Sequence, residues 1–133
     1  MIIKREIQPK NEFKKINFLF FIYLASCILI LDVASDPANP TQIGSYCLDN
    51  VRTEGAHYDE DNNIIYIVSG TSNNCITAID VLNATAPSYA GSFCSSSHFD
   101  DDGRFIFLDI SKKYLYVTSM NSDSLVVVNI TDQ

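Results

Sequence analysis

The chain repeats itself, and that repeat limits the folds open to it. "CILILDVASDPANPTQIGSYC" (27–47) aligns with "CITAIDVLNATAPSYAGSFC" (75–94) and with "SLVVVNITDQ" (124–133). Cys27 matches Cys75 and Ser124, Asp32 matches Asp80 and Asn129, and "GSYC" matches "GSFC". Between these segments "NNIIYIVSG" (62–70) answers "KKYLYVTSM" (112–120), with Tyr66 opposite Tyr116. The offsets between matched residues are 47 to 50 positions. Self-similarity at such a period marks a repeat architecture in which each unit is one supersecondary element that must stack on its neighbours to bury its apolar faces.

Within one period, runs rich in Ile, Val, Tyr and Phe are separated by Gly, Asn, Asp, Ser and Pro, the pattern of short strands and turns. The pattern predicts strand A over 53–61 and 103–111, strand B over 64–69 and 114–119, strand C over 75–81 and strand D over 88–94. The turn after strand C carries proline, "SDPANP" or "NATAP", which removes a ladder donor and ends the strand. Four antiparallel strands in a period of this size describe a β-propeller blade. The expected fold is therefore all-β, a partial β-propeller of four-stranded antiparallel blades. Its nine strands make about two and a quarter blades, in units 27–74, 75–123 and 124–133. Closed propellers need four or more blades. The chain is thus expected to be the N-terminal part of a larger propeller.

"DVASDPANPTQIGSY" resembles the LVIVD repeat, in which an aliphatic strand leads into D-V-S-D-P, a second proline and a Gly-Ser strand. "YLYVTSMNSDSLVVVNITD" is similar to the related YVTN propeller repeat. The likeness spans Cys27 to Gln133, and the second unit departs from it with "DVLNATAP". It implies a propeller in a cell-surface or secreted protein and implies no activity.

The repeat also places the cysteines. Cys27 and Cys75 open strand C, whereas Cys47 and Cys94 close strand D. Directly opposed residues of an antiparallel hairpin lie about 4.5–5.5 Å apart at Cα, within reach of a disulfide. Cys27–Cys47 and Cys75–Cys94 are the expected pairs, and four free core cysteines are the alternative. Disulfides call for an oxidising compartment. The sequons "NAT" at Asn83 and "NIT" at Asn129 are candidate glycosylation sites, with Asn83 placed in a turn.

Upstream, Lys4, Arg5, Lys10, Lys14 and Lys15 precede an apolar run without charge from Ile16 to Leu31. These 16 residues would span about 24 Å as a helix, short of the roughly 30 Å hydrocarbon core. Because the repeat claims the run from Cys27 onward, Ile16 to Ser26 is left as the h-region of a secretory signal. Residues 1–26 are expected to be a signal peptide or signal anchor and 27–133 the repeat domain. The expected location is extracellular, with anchoring through residues 16–31 as the alternative.

Residues 1–31 carry a balance of +3, so the remainder carries −10 of the total −7. An acidic body repels phosphate backbones, which argues against nucleic-acid binding. His57 and His98, the only histidines, fall in no metal or catalytic spacing. Asp100, Asp101 and Asp102 form a weak calcium candidate, because they lack the alternation that turns oxygens toward one ion. No cofactor or catalytic residue is expected. Glu54 and Arg104, on successive A strands, are expected to form a salt bridge between blades. The functional expectation is a non-catalytic scaffold that binds a protein or glycan partner at the cell surface. The alternative is the N-terminal part of a propeller enzyme with its active site at the central channel.

Overall fold

The computed structural model describes residues 18–23, 26–49, 52–70, 74–98, 103–109, 111 and 113–131. Ten strands make three antiparallel sheets. Sheet 1 is ordered β1 (Phe18–Tyr23), β2 (Cys27–Asp32), β3 (Thr41–Cys47). Sheet 2 is ordered β4 (Thr53–Asp59), β5 (Ile64–Ser69), β6 (Cys75–Asp80), β7 (Ser88–Cys94). Sheet 3 contains β8 (Gly103–Asp109), β9 (Tyr114–Ser119) and β10 (Ser124–Asn129), again in chain order across the sheet. In blade terms these are B–C–D, A–B–C–D and A–B–C. The expected all-β propeller blades are present, and no helix occurs among the described residues.

Strands B, C and D fall where the repeat puts them, and strand A is shorter than expected, ending at Asp59 and Asp109. The tenth strand is the difference. The sequence reading leaves Phe18–Tyr23 outside the first blade, whereas the structure pairs it with β2 from Phe18↔Asp32 to Tyr23↔Cys27. The physical reason is the free inner edge of β2: its backbone donors and acceptors need partners, and an adjacent apolar run of strand formers supplies them. Residues 1–17 lie outside the described residues.

The ends of the strands are built by one repeated device. Ser26, Asn74 and Asp123 each immediately precede strand C, and each has positive φ. Asn63 and Lys113 do the same before strand B. The carbonyl of each residue at a B start then accepts a bond from the residue that follows strand C, Val81 N–H to Asn63 and Ile130 N–H to Lys113, both at 2.9 Å. Ser26 and Asn74 accept likewise from Leu48 and Ser95, just past strand D. Aspartates close the other ends. The Asp59 carboxylate is fully buried and accepts from the Asp61 and Asn62 backbone N–H groups and the Asn62 amide. Asp32 accepts from Ala34 and Ser35, and Asp80 from Leu82. The recurrent aspartates of the repeat are thus turn-forming residues, a use suited to a short acceptor side chain.

Two apolar layers join the sheets. Ile28 and Ile30 of sheet 1 pack on Ala56, Ile65, Ile67, Ile79 and Val81. Tyr66, Val68, Ile76 and Ala78, on the opposite face of sheet 2, pack on Ile106, Leu115, Val117 and Val126 of sheet 3. Small residues set the spacing. A Cβ on Gly44 of β3 would lie 2.1 Å from the Ala84 carbonyl oxygen in the next blade's C–D turn. One on Gly55 of β4 would lie 2.5 Å from the Arg104 carbonyl oxygen of β8.

The left-handed conformation costs a residue with a Cβ about 1–2 kcal/mol. Lys113→Gly, at φ 58°, is therefore expected to raise stability by about 1 kcal/mol, read as a higher thermal midpoint.

Candidate functional site: the inner strands and the adjoining loops

In a stack of propeller blades the A strands line the central channel, and here these are β4 and β8. Glu54 of β4 reaches across the blade boundary to Arg104 of β8, 3.3 Å away, and also pairs with Arg52 on its own side. Glu54 is largely buried and Arg52 is largely exposed. The expected Glu54–Arg104 bridge is therefore formed, and the structure adds Arg52, which nothing in the repeat singled out. Further along the same strands the His57 ring meets Phe107 edge-on at 5.5 Å between centroids. Tyr58 donates to the Asn63 side-chain oxygen at 3.1 Å. Burial raises its phenol pKa, and the neighbouring Glu60 and Asp59 charges add to the effect. Burial also raises Tyr66, with a smaller push from Asp59.

The loops at one end hold a second cluster. Ser95 and Ser97 place their hydroxyls 2.6 Å and 3.0 Å from His98 Nδ1. The His98 carbonyl accepts from Ser122 at 3.4 Å and Ser124 at 3.3 Å, joining this loop to the B–C loop of sheet 3. In the sequence His98 falls in no catalytic or metal spacing; its three-residue separation from Ser95 within one turn is the signal that connects the two. All of Ser95, Ser97 and His98 are exposed or nearly so. A serine nucleophile needs a base in a water-excluded site with preorganised oxyanion donors, and an imidazole in solvent does not supply that setting. Asp100, Asp101 and Asp102 lie outside the described residues. Among the described residues no group of three or more His, Cys, Asp or Glu side chains is arranged to hold a metal ion.

Between sheets 2 and 3, a recess lined by Tyr66, Ile76, Ala78, Leu115, Val128 and Ile130 has a volume of about 10 Å³, room for a single water. It is a packing gap and offers no ligand pocket.

The cysteine pairs lie where the hairpins put them. Cys27 is opposite Cys47 and Cys75 opposite Cys94 in the strand register, and both pairs are bonded. The described residues contain no free cysteine. Each bond closes the C–D hairpin at its open end and ties down the outermost strand, which otherwise has one unpaired edge. Asn83 is exposed in the β6–β7 turn, with its side-chain oxygen accepting from the Thr85 hydroxyl and N–H. Asn129, also exposed, closes the same kind of turn on Thr131 at the end of β10.

With this geometry in view, the chain resembles WD40-type propellers in fold. It superposes on the solved structure of U3-55K with a TM-score of 0.52 at 12% identity, covering 85% of this chain and 34% of that one. The crystal structure of the RRP9 WD40 repeats gives the same TM-score and identity, covering 85% of this chain and 33% of that one. This chain therefore spans about a third of the length of these structures. No family model and no curated protein matches it. At this identity the likeness establishes the fold alone. Among the described residues no helix is long and apolar enough to cross a membrane.

Two outcomes follow from these contacts. Replacing Cys75 and Cys94 together by serine is expected to cost about 3 kcal/mol on the chain-entropy model, measured by denaturant unfolding against the parent chain. At the first C–D turn, the Ser35 hydroxyl and then the Ala34 N–H hold the Asp32 carboxyl below its usual pKa. A carboxylate depressed in the folded state stabilises above its unfolded pKa, near about 4, and that contribution fades as pH falls through the folded value. Ser35→Ala is expected to move the Asp32 titration, followed by carboxyl carbon NMR, back up toward the ordinary range.

Proposed function

We propose that this chain is a secreted or cell-surface β-propeller repeat protein that acts as a non-catalytic scaffold and binds a protein or glycan partner through its loops. The observation that carries the reading is the state of the inner strands, where propeller chemistry would sit. Of the acidic residues on these strands, Glu54 is engaged by Arg104 from the neighbouring blade and by Arg52, while Asp59 and Asp109 at the strand ends accept turn hydrogen bonds. An ion pair that bridges two blades holds the wall together, which supports a structural role for Glu54.

The extracellular part of the proposal is supported by chemistry of a different kind. Both C–D hairpins are closed by disulfides, which persist in oxidising compartments and are rare in the cytosol of mesophiles. The Asn83 sequon sits on an exposed turn with its threonine already hydrogen-bonded to the asparagine. The LVIVD-like motif "DVASDPANP" adds the same compartment by resemblance. The basic, then apolar N-terminal segment is proposed to direct the chain into the secretory pathway. Cleavage before Cys27 would keep the Cys27–Cys47 bond and remove β1; without cleavage the residues that form β1 stay in the chain.

Expression of the full chain in a secretory eukaryotic host tests the proposal. The expected result is protein in the medium, with no reactive thiol in non-reducing mass spectrometry and a glycan mass lost in Asn83→Gln. The secreted protein, labelled, is expected to bind intact cells saturably, with protease or glycosidase treatment of the cells identifying the partner's class. Cytosolic retention with four free thiols overturns the location, and absence of saturable binding overturns the scaffold.

A further inference from the structure

β1 enters the fold with the register of a repeat strand. Phe18 pairs with Asp32 as Ile64 pairs with Asp80 and Tyr114 with Asn129. The far ends agree as well, Tyr23 with Cys27 and Ser119 with Ser124. β1 therefore stands where strand B stands in the other two sheets, and all three strands are six residues long. The residue types suit the place. Leu19, Ile65 and Leu115 share its second position, and Phe20, Tyr66 and Tyr116 its third.

The residue that leads into β2 is built to the same plan. Ser26 precedes strand C with φ 79°, as Asn74 and Asp123 do with φ 47° and 45°. Its carbonyl accepts from the Leu48 N–H at 2.7 Å, just as the Asn74 carbonyl accepts from Ser95 at 2.9 Å. A leader cut before Cys27 would end at Ser26, and such ends carry small residues at the first and third positions before the cut. The third position here is Leu24. Removal of β1 would also leave β3 as the one neighbour of β2. A two-stranded hairpin is marginal in water, and "CILILD" would then lie along an open edge, a template for aggregation. Yet β2 carries Ile28 and Ile30, both fully buried in the layer that joins sheet 1 to sheet 2.

We propose that Phe18–Tyr23 is strand B of the first blade and stays in the mature protein, neither cut away as a leader nor left in a bilayer. The apolar run has two uses in succession. Unfolded, it is the segment that a secretory pathway reads; folded, it closes the inner edge of β2. The uses are compatible because targeting reads the apolarity of an unfolded segment, whereas the blade takes up its backbone donors and acceptors. A strand paired along six residues does not at the same time cross a bilayer as a helix. The targeting use rests on the secretory reading; the strand does not, and it holds in any compartment.

The full chain, recovered from the medium and the cells of a secretory host, tests both parts. Intact mass and N-terminal sequencing are expected to find secreted protein that retains Phe18 to Ser26. In hydrogen exchange, alternate amides of Phe18–Tyr23 are expected to be protected along with β2, since one antiparallel neighbour bonds every second residue. Phe20→Pro and Phe21→Pro are made separately, because only one of two adjacent amides faces β2. That one is expected to lower protection of Cys27–Asp32 about tenfold, and Phe20→Leu to leave it unchanged. A mature N-terminus at Cys27 overturns the proposal, as does retention in carbonate-washed membranes. Rapid exchange throughout Phe18–Tyr23 in a chain that keeps these residues overturns the strand, and so does indifference to both prolines. Retention in the cytosol overturns the targeting use together with the secretory reading, while protection of the same amides still supports the strand.

Discussion

The structure depends on one sheet being apolar on both faces. β5 and β6 of sheet 2 are buried along nearly their whole length, whereas β9 and β10 of sheet 3 alternate buried and less buried residues. Ile65, Ile67 and Ile79 anchor the layer toward sheet 1, and Val68, Ile76 and Ala78 the layer toward sheet 3. A fully buried Ile or Val contributes about 1.5–3 kcal/mol relative to an exposed one. Sheet 2 supplies such residues to two layers at once. Remove it, and neither outer sheet retains a core of its own. This is the energetic logic of a repeat array, in which units are stable chiefly through their interfaces.

The polar features serve that stack. Positive-φ residues before strands B and C turn the chain sharply enough for six-residue strands to pack side by side, and buried or turn-capping aspartates satisfy the backbone donors the turns expose. Glu54 and Arg104 join the inner strands across the same boundary that the apolar layer joins further out. The disulfides act at the opposite margin, holding the outer strands that only one neighbour would otherwise retain. Each radial zone of the wall thus has its own fastening: ion pair within, aliphatic layer between, covalent bond outside.

Much of this was legible in the residues. The strand period, the C–D hairpins and the matching places of Cys27, Cys47, Cys75 and Cys94 lead directly to the observed pairs, because an antiparallel hairpin must bring its ends together. The Glu54–Arg104 bridge was legible for a similar reason, since equivalent positions on successive inner strands are neighbours in any blade stack. β1 was not legible. Its apolar run reads as a targeting segment, and its pairing as a strand depends on the open edge of β2, which local sequence does not reveal. The Ser95–Ser97–His98 cluster was also missed, because hydroxyl and imidazole positions depend on the path of one turn.

The sequence by itself determined the repeat, hence the blade, the strand register and the cysteine pairing, all of which follow from local periodicity and chain connectivity. Tertiary structure alone decided what identical positions mean in different blades. Tyr66 and Tyr116 occupy the same place in the repeat, yet one lies in a core and the other borders an open face. Gly55 and Phe105 likewise share a position, and only the 2.5 Å approach of the Arg104 carbonyl to a Cβ built on Gly55 shows why the first has no room for a side chain. The physical reason is that burial belongs to the neighbour as much as to the residue, and a neighbour is absent from the local pattern.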